Sequence, residues 1–311
     1  MLTKHVLIAE IRCNVCGSMD SSVLFGPGVA QINQIVKCNQ CGLMYASPRR
    51  EADHVGLETL PDDPEWDFER EHAQRFEKER LQRRDYANTR GLLNRLYPQR
   101  GSLVEIGSST GSLLETFRSD GWRILGVEPD RNAARYATTK LGIETINSIL
   151  ERAGIPDHSA DVVLLLHVIE HVPDPVATLR EIYRILKPGG HLIIETPRYD
   201  TLMFKLLGRR ERSLSCDGHI FFFTTDTLRQ TYKKAGFVLE RVEFVGRSLT
   251  LDRLAYNIAV ISKSPAVGRI LMSVSRSLFF HKLKLTINLR DMQRVCVRKP
   301  LDESGTSALR R

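Results

Sequence analysis

Residues 104–130 read VEIGSSTGSLLETFRSDGWRILGVEPD. An apolar run stops at Gly107, two serines and a threonine lead to Gly111, and a second apolar run closes on Glu128. Strand, tight turn, helix and strand fit that spacing. Working outward, Leu103–Ile106 and Arg123–Val127 read as strands, with helices at Ser112–Arg118 and Arg131–Lys140. Asp161–Leu166, apolar after its first residue, reads as a buried strand, Pro175–Leu186 as a helix and His191–Glu195 as a strand. Alternation of this kind predicts a parallel sheet covered by helices on both faces, with ligands at the carboxyl ends of its strands.

A nicotinamide fingerprint would need glycines at 107, 109 and 112, and Ser109 and Ser112 stand at two of those positions. The spacing Glu105-x-Gly107-x-Ser109-x-Gly111, with Glu128 ending the next strand, instead resembles motif I of the class I S-adenosylmethionine-dependent methyltransferases. Ser109 departs from the family's middle glycine. Three further stretches resemble the subfamily that includes the ubiquinone O-methyltransferases and many sugar-modifying enzymes: SADVVLLLHVIEHVPDP (159–175), LKPGGHLIIETP (186–197) and GHIFFFTTDTLRQTYKKAGF (218–237). The resemblance implies a Rossmann-like doubly wound sheet with an antiparallel last strand and S-adenosylmethionine as cofactor. By position it assigns Glu105, Gly107, Ser108, Ser109 and Gly111 to the methionine side, Glu128 and Pro129 to the ribose, Ser148 and Ile149 to the adenine, and Leu166 and His167 to the end of the fourth strand. Lys187–Gly190 needs no role beyond a turn.

Methyl transfer needs an acceptor held in line with the sulfonium, often with a base to take its proton. His171, in HVIEHVP, and His219, in DGHIFFFT, are the candidate bases. Each is equally readable as a packing or structural histidine. Glu170 either orients His171 or faces water; alone with one histidine it makes no metal site.

The N-terminal cysteines form a repeat, IRCNVCGS and VKCNQCGL. Two residues between thiols let one turn aim both sulfurs at a single point, and the glycine after each pair relieves the backbone. Cys13, Cys16, Cys38 and Cys41 therefore match a structural four-cysteine Zn²⁺ site, with Arg12 and Lys37 offsetting its charge. Disulfides are the alternative, disfavoured in a reducing compartment. Cys216 and Cys296 read as ordinary thiols. CGLMYASPRR resembles the zinc-ribbon start found on some relatives.

The chain divides on this reading into a ribbon (1–55), a linker with a charged, solvent-exposed helix broken at Gly91 (56–100), a cofactor-binding domain (101–245) and a helical insert with the final strand (246–311). The net charge is +8, yet Gly246–Arg311 alone holds thirteen Lys and Arg against four Asp and Glu. Within the insert, Leu251, Leu254, Ala255 and Ile258, then Val267, Ile270, Leu271, Val274 and Leu278, recur at helical spacing. These stripes predict a cap packed over the acceptor pocket; a basic surface for an anionic membrane at 250–284 is the alternative. No apolar run reaches the ~20 residues of a membrane span. The apolar part of MLTKHVLIAEIRC is too short for a secretory signal, so a cytoplasmic location is expected. The expected acceptor is an oxygen on a small-molecule or sugar-containing compound, lipid-linked or free. An RNA methyltransferase and a non-catalytic cofactor-binding protein are the rivals. The ribbon's poverty in Lys, Arg and exposed aromatics argues against nucleic acid.

Overall fold

The computed structural model describes residues 8–27, 34–50, 85–211, 214, 218–251, 254–255, 258, 265–275 and 284–301. Cys216 and most of the charged segment before residue 85 lie outside them.

The N-terminal unit carries β1 (Ile8–Ala9), β2 (Ser21–Phe25), β3 (Ile35–Cys38), β4 (Met44–Ala46) and β5 (Arg49–Arg50). Its two knuckles repeat bond for bond. Gly17 N donates to Cys13 O at 2.7 Å and Gly42 N to Cys38 O at 2.9 Å, while Cys13 N and Cys38 N donate to Ser18 O and Leu43 O at 2.9 Å each. Gly17 and Gly42 hold φ of 80° and 78°, which only glycine adopts without strain.

The helix α1 (Ala87–Leu96) follows. Gly91 does not break it, and it is not simply solvated, because Thr89 and Leu93 are buried against the main sheet. Glycine inside a helix costs only about 1 kcal/mol, and the apolar face recovers it. Then come β6 (Ser102–Ile106), α2 (Ser112–Ser119), β7 (Arg123–Val127), α3 (Arg131–Leu141), β8 (Thr145–Ile146), β9 (Ala160–Leu166), α4 (Pro175–Ile185) and β10 (Leu186–Pro197). Asp130 and Asp174 cap α3 and α4 by accepting N–H bonds from the first helical turn, and Pro175 opens α4. The chain continues through α5 (Leu202–Leu207), β11 (Phe221–Phe222), α6 (Thr225–Lys234), β12 (Val238–Thr250), α7 (Pro265–Ser275) and β13 (Lys284–Arg298).

The seven-stranded sheet has the order β12-β13-β10-β9-β6-β7-β8, with β13 alone running against the rest. Strand order reverses between β6 and β9, so the switch point falls at the turn after β6. One face packs on α1 and α2, the other on α4, α6 and the ribbon.

The ribbon is not separate from this domain. Its sheet runs β11-β4-β3-β2, and β11 comes from residues 221–222. Cys13, Val36 and Tyr45 share one buried cluster with Val104, Leu165, Ile194, Phe223 and Val295. Arg49 donates to Pro173 O at 2.9 Å and stacks its guanidinium 4.7 Å over the Phe221 ring.

Beyond β10, strands β12 and β13 continue as a two-stranded arm as far as Thr250↔Lys284, on the side of the parallel strands' carboxyl ends. The insert at its tip is helical where described. Ala255 is buried, but Ile258, Val267 and Ile270, expected on inward stripes, are exposed. The helical spacing holds over the described residues, and the burial it suggested is met only in part, with Leu251, Leu254 and Leu271 half-buried.

Candidate active site and metal centre

The turn after β6 is built for close approach. Gly107 and Gly111 hold φ of 71° and 75°; a Cβ on Gly107 would lie 2.4 Å from Val168 Cγ2, and one on Gly111 2.9 Å from Ile143 Cδ1. Ser109 takes the same left-handed conformation (φ 50°) without being glycine. Its N–H donates to Glu128 Oε2 at 2.7 Å, and Asp130 N donates to Oε1 at 2.8 Å. Glu128 is buried and thus fixes the glycine turn to the end of β7. A carboxylate oxygen can accept more than one hydrogen bond, the property that a pair of ribose hydroxyls would use. The Ser108 side chain turns into the sheet, its Oγ 2.5 Å from the place of a Cβ on Gly126, so only its backbone faces outward. Asn147, not anticipated from the sequence, donates to Glu128 O and Pro129 O at 2.9 and 3.0 Å and ties Ser148 and Ile149 to the same rim. Glu105 is buried beneath the turn.

At the neighbouring strand end, Leu166 leads into His167, also left-handed (φ 58°), whose N–H donates to Glu195 O at 2.8 Å. Its Nε2 lies 3.2 Å from Glu195 Oε1 and its Nδ1 3.7 Å from Glu170 Oε1. Burial works to lower the His167 pKa, but the two carboxylates outweigh it and raise it. Glu195 also accepts from Arg294 Nε at 2.6 Å and from Tyr86 OH at 3.1 Å. Arg294 in turn donates to Thr89 Oγ1 at 2.8 Å. Burial would raise the Glu195 pKa; His167 and Arg294 hold it down at about 2. The sequence offered no signal for this set, because Tyr86, Thr89, Glu195 and Arg294 meet only when α1, β10 and β13 pack together.

The two candidate bases also meet. His171 and His219, 48 positions apart, stack edge to face with ring centroids 4.6 Å apart. Glu170, 1% exposed, lies beneath them: its Oε1 is 4.0 Å from His219 Nε2, and its Oε2 accepts from Thr196 Oγ1 at 2.9 Å. Burial would raise its pKa, but His167, His171 and His219 together hold it at about 2. The Glu170 carbonyl accepts from Ile220 N and Phe221 N at 2.9 and 3.1 Å, which pins the His219 loop to the end of β9. Glu170 is therefore not a solvated carboxylate, and a second histidine joins it.

In the ribbon, Cys13 Sγ lies 3.3 Å from Cys41 Sγ and Cys16 Sγ 3.4 Å from Cys38 Sγ, and all four sulfurs lie within 4.8 Å of one another. Backbone N–H groups of Val15 and Cys16 point at the Cys13 sulfur, and those of Gln40 and Cys41 at that of Cys38. Burial pushes the Cys13 thiol up to about 11; at Cys38 those N–H donors and the Cys16 and Cys41 thiols outweigh burial and bring it to about 7. Four convergent soft donors with N–H support fit a tetrahedral Zn²⁺ with no open position.

A parallel sheet with one reversed strand, a glycine turn at its switch point and an acid closing the next strand define a class I S-adenosylmethionine-dependent methyltransferase. A family model described as a methyltransferase domain matches residues 70–242, more than half the chain, and the chain belongs to that family. Among curated proteins it is 30% identical over 143 residues to the C-methyltransferase NovU of Streptomyces niveus, covering 43% of this chain and 32% of that protein. To the ubiquinone biosynthesis O-methyltransferase of Marinobacter nauticus it is 34% identical over 103 residues, 30% of this chain and 42% of that protein. The matched region spans only a third to two fifths of the length of these relatives. Among solved structures, a "SAM-dependent methyltransferase, possible histamine N-methyltransferase" from Thermotoga maritima aligns with a TM-score of 0.48 at 23% identity, over 75% of this chain and 96% of that one.

Proposed function

We propose that this chain methylates an oxygen of a small-molecule or sugar-containing acceptor held between the ends of β9 and β10 and the His219 loop. S-Adenosylmethionine, when bound, supplies an electrophilic methyl group on a sulfonium. The turn at Gly107–Gly111 binds it through backbone groups, and Glu128 holds its ribose. His171 and His219 receive the acceptor's proton on an imidazole nitrogen, and buried Glu170 orients the pair and stabilises the imidazolium that forms. The observation that carries this reading is the grouping of His171, His219 and the buried Glu170 carboxylate within 4.8 Å of one another, just past Val168, whose side chain abuts Gly107. Zn²⁺ on the four cysteines has a structural part in it: it holds the ribbon whose sheet includes β11, two residues after His219.

Methylation at carbon is a second reading, favoured by the longer stretch matched to the C-methyltransferase NovU. The same histidines suit removal of a proton from a carbon next to a carbonyl.

Methyl transfer from labelled cofactor to phenolic, catecholic and sugar-nucleotide acceptors tests both readings. His171→Asn and His219→Asn are expected to lower kcat by roughly 10²–10⁴-fold with cofactor affinity unchanged. Cofactor binding with no transfer to any acceptor would favour the non-catalytic rival. Full turnover in both variants would remove the histidines from the chemistry.

A further inference from the structure

Leu202 and Leu206, each 71% exposed, are the most exposed large apolar side chains among the described residues. Both lie on α5, four residues apart and so on one face. Lys205, Arg209 and Arg210 are exposed as well, and the stretch LMFKLLGRR (202–210) has three cations and no acid. The inner side is anchored. Phe204 meets Phe25 and Tyr199 edge to face at 6.1 and 5.4 Å, and Thr201 Oγ1 caps the helix by accepting from Phe204 N at 3.0 Å. Phe25 ends β2, the edge strand of the ribbon sheet, on which Val23 and Leu24 are also exposed, and Arg209 donates to Pro27 O at 2.8 Å. Helix and ribbon edge thus meet through Phe204–Phe25 and Arg209–Pro27, with exposed leucines and basic side chains on α5 and the turn after it.

We propose that this surface seats the chain on an anionic lipid bilayer, with Leu202 and Leu206 entering the headgroup boundary and Lys205 and Arg210 facing lipid phosphates. Exposed leucines four apart, flanked by long basic side chains that reach outward, are the pattern of a helix lying in an interface. A single-stranded nucleic acid would call for exposed aromatics for stacking, and 202–210 offers only half-buried Phe204; the exposed leucines have no use on a duplex backbone read through its phosphates. The six residues of α5 are far short of a span, so the contact is peripheral. Because α5 follows directly from the carboxyl end of β10, the same docking turns the rim of the active site toward the lipid. The inference does not rest on the acceptor assigned above.

Sedimentation with phosphatidylglycerol–phosphatidylcholine vesicles tests it on the whole chain. Binding is expected to anionic vesicles, to fall steeply with added salt, and to be weak on phosphatidylcholine alone. Lys205→Gln/Arg210→Gln is expected to weaken it roughly 25-fold, about fivefold for each cation lost. Leu202→Ser/Leu206→Ser is expected to weaken it roughly tenfold or more. Circular dichroism and cofactor affinity identical to the parent show that each variant is folded. The proposal is overturned if the parent chain ignores anionic vesicles or if both folded variants bind as well as the parent. It is also overturned if only Val267→Ser/Ile270→Ser, in the insert, abolishes binding, or if the leucines instead mediate concentration-dependent self-association without lipid.

Discussion

Ser109 holds a left-handed backbone that costs a non-glycine residue about 1 kcal/mol or more, and its N–H is clamped by Glu128 at 2.7 Å. The clamp explains how serine is tolerated where the family pattern has glycine. Glu128→Ala removes an acceptor of two backbone N–H groups and, on the proposed function, of the ribose hydroxyls. It is expected to weaken S-adenosylmethionine binding by roughly 1.5–3 kcal/mol, read by calorimetry; equal affinity would exclude Glu128 from the site. Gly107 has no such tolerance. Gly107→Ala drives a Cβ to within 2.4 Å of Val168, and cofactor binding should be lost while the far sheet edge stays intact. The buried carboxylates predict a pH response. Glu170 and Glu195 titrate near 2 in the folded chain, against about 4.3 unfolded. Their contribution is therefore present above about pH 4.3 and lost as pH falls toward 2. His167, raised above its ordinary value, acts in the opposite sense: its contribution is present below about pH 6.5 and lost as pH rises through the folded value. Urea midpoints across this range should show Glu170→Gln flattening the acid limb and His167→Gln the upper one. An unchanged profile in either would show that its partner contacts do not form.

At the scale of elements, the strands and helices of the cofactor domain were legible because each signal was local: apolar runs at β6, β7 and β9, with helical stretches between them. The glycine turn was legible because φ near +70° leaves few choices of residue. What could not be read is what depends on non-local packing. The Glu195–Arg294 pair joins strands 99 residues apart, and the burial of α1 depends on a sheet that the charged pattern of 66–97 does not reveal. The insert carries the sharpest test. Its arm rises on the active-site side and is tied to the start of α1 by Ser248 N donating to Asp85 Oδ2 at 3.1 Å. Replacing 250–284 with a short turn is expected to abolish methyl transfer and leave cofactor affinity within a few-fold, since the residues proposed to hold the cofactor all lie between 105 and 167. Loss of cofactor binding in the folded, shortened chain would refute that division of labour.

Across the whole molecule, one apolar cluster runs from the ribbon cysteines to β13, so ribbon and sheet should unfold together. One zinc per chain is expected by metal analysis, with chelation or Cys38→Ser/Cys41→Ser lowering the midpoint of a single thermal transition rather than melting a separate ribbon. Two independent transitions would contradict the shared core. The paired cysteine motif made the four-thiol cluster legible, but its union with the larger domain was hidden in FFF at 221–223, which reads simply as an apolar run. Because β11 completes the ribbon's sheet two residues after His219, an ancestor could not have gained or shed the first fifty residues without rebuilding the loop that presents this histidine. The two must be inherited as a pair. Grafting a relative's ribbon onto this chain would succeed only together with that relative's own version of residues 218–223.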